Sequence, residues 1–120
     1  MSTFSYVRIY TGADGLSHFE DMEVPLTEGG AASMLSKVMA VSGLNFRRNT
    51  ASYNLDFHPA PRRQFVVNLT GTVEIEASDG EVRRFGPGSV MLAEDTTGKG
   101  HISRAIGDEE RLSLFIHLPA

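Results

Sequence analysis

Short runs rich in β-branched and aromatic residues, each closed by a turn signal within a few positions, recur along almost the whole chain and leave little room for helices. Ten are read as strands: "SYVRIYT" (5–11), "SHFEDMEVP" (17–25), "LNFRRN" (44–49), "SYNLDFH" (52–58), "QFVVNL" (64–69), "TVEIEAS" (72–78), "EVRRF" (81–85), "SVMLAE" (89–94), "HISRAI" (101–106) and "RLSLFIHL" (111–118). Between them, "SDGE" (78–81) is a tight hairpin signal, "GPG" (86–88) a sharp bend and "GDEE" (107–110) a polar turn. This cadence predicts an all-β sandwich or barrel. The stretch "EGGAASMLSKVMAVSG" (28–43) is read as a loop, or as one short helix over 31–39, that covers a sheet edge or barrel end. A chain of 120 residues fits one domain, 1–120, able to bury about two thirds of the surface its unfolded form exposes.

Composition narrows the chemistry. Without cysteine there is neither a disulfide framework nor a thiolate site, so any metal must be held by the four histidines, the carboxylates and the amides. The net charge of -4 comes from 15 acids and 11 bases mixed along the chain, which argues against a nucleic-acid partner. No apolar run is long enough to cross a bilayer, and "MSTFSYVRIYTG" lacks the basic head and apolar stretch of a secretory signal. The expectation is a cytoplasmic protein with no membrane partner.

Alternation along 64–69 places Gln64, Val66 and Asn68 on one face and Phe65, Val67 and Leu69 on another that is wholly apolar. An apolar outer face needs a cover: the other sheet, the chain termini or a second subunit. A homodimer is the expected arrangement.

The chemistry concentrates in "FHPAPRRQFVVNLTG" (57–71). Pro59 and Pro61 fix the backbone and so hold Arg62 and Arg63 at a defined place beside His58. A fixed guanidinium can take a carboxylate or phosphate through two parallel hydrogen bonds, or simply pair with Glu74, Glu76 or Glu94. Lys99, in "GKG", either closes a pocket mouth or forms a polar turn.

His58, Gln64 and Gly71 stand at a spacing that resembles the first motif of the cupin family, in which His-x-His, three residues, a glutamate, six residues and a glycine follow one another. Ala60 replaces the second histidine, Gln64 the glutamate, and Ser52 the glycine ahead of the motif. "GPGSVMLAEDTTGKGH" (86–101) resembles the second motif through Gly98 and His101, with Thr96 where that motif has proline and Ala105 where it ends in asparagine.

The resemblance implies a double-stranded β-helix, the cupin jelly-roll barrel. Its interior would hold a divalent transition metal (Fe, Mn, Ni or Zn) on His58, Gln64 and His101. His18, Asp56 and Asp95 are further ligand candidates, each with a plain turn or surface role as the alternative. Arg62, Arg63 and Asp95 are candidates for contact with a small-molecule ligand, and His117 is expected to be structural or interfacial. No catalytic residue is assigned. The resulting reading is a small metal-binding cupin, extending to a metal-dependent enzyme acting on a small, acidic organic molecule. The alternative is a non-catalytic module that binds or senses a small molecule through a relaxed metal site. A metal-free sugar-nucleotide epimerase ranks last, because it needs a tyrosine acid and no spacing ties Tyr6, Tyr10 or Tyr53 to a histidine.

Overall fold

The computed structural model describes residues 2–120, and among these the chain forms twelve strands and no helix. They are β1 (Thr3–Thr11), β2 (Ser17–Pro25), β3 (Thr27–Gly30), β4 (Ser33–Leu35), β5 (Gly43–Asn49), β6 (Asn54–His58), β7 (Gln64–Thr70), β8 (Thr72–Ala77), β9 (Val82–Phe85), β10 (Val90–Glu94), β11 (His101–Ile106) and β12 (Arg111–His117). All ten expected runs are strands, with ends displaced by two residues at most. No helix among the described residues is long and apolar enough to cross a membrane.

The last eight strands pair as a rolled-up hairpin. β5 pairs with β12, β6 with β11, β7 with β10 and β8 with β9, all antiparallel. The nested pairs are then stitched side by side through β7–β12 and β8–β11. That nesting defines a jelly roll. It gives one sheet in the order β2-β1-β10-β7-β12-β5 and a facing sheet in the order β6-β11-β8-β9. The β1–β2 hairpin extends the larger sheet by lying parallel to β10.

The sheets meet over a core of Ile9, Phe19, Val66, Met91 and Ala93 on one side and Val73, Ile75, Ala77 and Phe85 on the other. Phe19 and Phe85 touch across the gap, with ring centroids 6.1 Å apart. The core fills only part of the space between the sheets. Towards β5 and β6, which are edge strands of their respective sheets, the interior turns polar and opens.

Gln64, Val66 and Asn68 are buried as the alternation of β7 predicts, and Leu69 is exposed on the outer face. Gly71 links β7 to β8 with φ 71°, and a Cβ there would press within 3.0 Å of the Arg111 backbone. This is a physical reason for glycine at that point.

No helix forms over 31–39. Thr27 and Glu28 pair instead with Leu35 and Met34 in a small separate hairpin, turned by Ala31 and Ala32 at φ 50° and 56°. This segment lies outside the two main sheets and is exposed throughout. An amphipathic helix needs a surface on which to bury its apolar stripe, and no residue of this segment is buried.

Candidate functional site

A cavity of about 370 Å³ opens between β5 and β6, at the polar end of the interior. His58 and His101 form its inner wall because β6 and β11 pair in register at these two residues. Their ring centroids lie 4.6 Å apart. Gly100 makes this approach possible. It adopts φ 75°, and a Cβ at that position would collide with the His58 carbonyl.

Both imidazoles are oriented from behind. His101 Nδ1 lies 2.5 Å from Asp95 Oδ2, in a pair that is almost wholly buried. His58 Nδ1 lies 2.7 Å from the carbonyl oxygen of Asp56. A carbonyl or a carboxylate can only accept, so each Nδ1 donates, and a ring in its neutral form then has its lone pair on Nε2. An acceptor behind each Nδ1 fixes the orientation of the ring.

Gln64 supplies a third donor. It is 3% exposed, lines the same cavity, and its Oε1 has no hydrogen-bond partner within the protein. A buried, unpartnered amide oxygen is costly unless something occupies the space before it. Two imidazole nitrogens and an amide oxygen form a donor set that a divalent transition metal accepts. Among the described residues no group of three or more His, Asp or Glu side chains could hold a metal, so the set depends on the amide.

The remaining sequence candidates separate. Arg62 lines the cavity, whereas Arg63 turns to the outer face, where its Nε donates to Glu94 Oε2 at 2.6 Å. Asp95 does not line the cavity. It lies beneath His101, and its carbonyl accepts the Ala60 amide at 2.9 Å, which ties the proline turn to the end of β10. Asp56 is exposed and its carboxylate accepts the neighbouring Phe57 amide. His18 is held by Asp14 and Asp79 at another part of the molecule. His117 shares a 2.9 Å hydrogen bond with Asn45 Oδ1 at the rim, a structural role. Lys99 packs over the Phe57 ring, 4.0 Å from its centroid.

Sequence reasoning missed Arg47, Tyr53, Ser103 and Phe115, which all line the cavity. Arg47 had a usable signal. In β5, Leu44 and Phe46 alternate with Asn45 and Arg47, so one pair must face inward, and here it is the polar one. The Arg47 guanidinium lies 4.3 Å above the Phe115 ring. A wider groove of about 540 Å³ lies along Val7, Asp21 and Phe85, but no histidine lines it. No protein-family model matches this sequence, and no curated protein matches it either.

Proposed function

We propose that the cavity holds a divalent transition metal on His58 Nε2, His101 Nε2 and Gln64 Oε1 and binds a small organic molecule beside it, as a small cupin with degenerate motifs would. The observation that carries this reading is the state of three donors in one cavity: both Nδ1 atoms are engaged, which leaves both Nε2 atoms as lone-pair donors, and the buried Gln64 Oε1 is unpartnered. When bound, such a metal would supply Lewis-acid polarisation or oxygen activation at its open positions. The chain's own part is to orient the two rings, through Asp95 and the Asp56 carbonyl, and to wall the site with Ala60, Val66 and Met91. Elemental analysis of protein purified without a metal-affinity tag is expected to find close to one equivalent of Fe, Mn, Ni or Zn, lost in His58→Ala and His101→Ala. Protein that stays metal-free after incubation with salts of all four would overturn this assignment.

A second reading, a metal-free pocket that binds or senses a small molecule without transforming it, is favoured by two observations. Ala60 lines the cavity at 4% exposure where the cupin pattern has a further imidazole, and the third donor is a neutral amide. The same elemental analysis separates the two readings.

We also propose that a second copy of the chain covers the outer face of the larger sheet. Phe46, Leu44 and Leu69 are exposed there beside the half-buried Val67, Leu114 and Ile116. The segment that follows β4 adds exposed Val38, Met39 and Val41. A two-fold arrangement would allow the face and the segment of each copy to cover the other.

A further inference from the structure

We propose that the molecule bound in this cavity is a small carboxylic acid, taken as its carboxylate by the Arg47 guanidinium with Arg62 as the second cation. The proposal rests on the reading of the cavity as a small-molecule pocket and names the class of ligand. Its basis is the way the arginines are paired. Arg8, Arg48, Arg63, Arg83, Arg84 and Arg104 each lie within 3.0 Å of a carboxylate oxygen. Arg47, Arg62 and Arg111 are the others, and among the described residues none of the three is paired with an acid. Arg47 and Arg62 both line the cavity, and no aspartate or glutamate does.

Arg111 carries the same imbalance deeper inside. It is 6% exposed, and its Nε donates to the neutral Asn68 Oδ1 at 2.7 Å. Burial pushes this guanidinium down from its ordinary value; Tyr53 opposes that shift, and the positive charge of Arg47 adds to it. Two neighbouring guanidiniums, neither of them paired with an acid, are relieved by an anion.

The surroundings select the anion. Arg47 rests one face on Phe115, which leaves its N–H edges free for a planar, two-oxygen acceptor. Phosphate sites usually add a nest of backbone amides at a helix N-terminus or a glycine-rich loop. This cavity is lined mainly by strand residues and a proline turn, with neither a helix N-terminus nor a glycine in its lining, so a carboxylate is the better match. Leu55, Val66, Met91 and Phe115 offer an apolar wall for the rest of the molecule, which can extend towards His58 and His101.

Titration calorimetry on the whole chain, with a panel of linear, branched and aromatic mono- and dicarboxylates of about four to ten carbons, tests this. Each acid is compared with its carboxamide and with inorganic phosphate. At least one carboxylate is expected to bind at least about tenfold tighter than its carboxamide. Arg47→Gln is expected to weaken it by about tenfold or more, Arg47→Lys by less, and Arg63→Gln not at all. Should Arg47→Gln fail to fold, the comparison of acid with amide on the unaltered chain and the Arg47→Lys titration still decide the matter. The proposal is overturned if no carboxylate binds, if amides or phosphate bind as well, or if both Arg47 variants bind like the unaltered chain. Repeating the titration on chelator-treated protein keeps the two ideas apart. Arg47-dependent carboxylate binding by a chain that takes up no metal would sink the metal assignment and leave this one standing.

Discussion

Asp95 shows how much of a residue's surroundings the sequence leaves open. Its position ahead of His101 made it a candidate for ligand contact, and it is fully buried against the His101 ring and does not line the cavity. Asp95→Ala would leave the His101 Nδ1–H unsatisfied in a buried place, at a cost of about 1–3 kcal/mol in stability. It is also expected to weaken metal binding by about 10–100-fold. Asp95→Asn keeps an acceptor oxygen in place and should recover most of both losses. Urea unfolding and a metal titration on the three proteins check this, and an asparagine variant no better than the alanine one would overturn the positioning role. His58 and His101 were legible because the spacing of two motifs fixes which residues face each other once the strands pair. The use of Arg47 was not, because whether a guanidinium has an acid nearby is decided by which strands lie beside it.

At the scale of elements, β5 is inverted relative to an ordinary core strand: Arg47 and Asn45 line the cavity while Leu44 and Phe46 face outward. Alternation marks two faces in such a strand and does not say which is inside. A second device joins the two sheets at the β1–β2 and β8–β9 turns. His18, on β2, has Nε2 2.9 Å from Asp14 Oδ2 and Nδ1 3.0 Å from Asp79 Oδ2. The hydrogen bond to Asp14 is the main cause that raises His18 above its ordinary value of about 6.5, and the same bond lowers Asp14. The sign follows from linkage. The share due to His18 is complete below its ordinary value and is lost as pH rises through the raised one. The share due to Asp14 is present above the ordinary carboxylate range and is lost as pH falls through the lowered one. The difference in melting temperature between the unaltered chain and His18→Asn is therefore expected to be widest at about pH 5–6 and to shrink by about pH 9. A difference that does not change across that range would mean that the ring contributes by packing alone.

For the whole molecule, the outer face of the larger sheet raises the question of what covers it. Phe46 is 81% exposed, so Phe46→Glu removes almost no contact within one copy and places a charge where two copies would meet. Light scattering on the eluting protein is expected to give the mass of a dimer for the unaltered chain and of a single chain for the variant, with little change in melting temperature at matched low concentration. A single-chain mass for the unaltered protein at high concentration would remove the proposal. The sequence by itself determined ten of the twelve strands, with their ends to within two residues, because alternation and turn chemistry act over a few neighbouring residues. It also indicated, through motif resemblance, that His58, Gln64 and His101 belong together. Tertiary structure alone decided the exposed hairpin over 27–35, the buried place of Asp95, and the isolation of Arg47, Arg62 and Arg111 from every acid in the described chain. Each of these turns on which distant segments are or are not packed nearby. That is settled by the nested pairing of strands far apart in the chain, and no local pattern of residues encodes it.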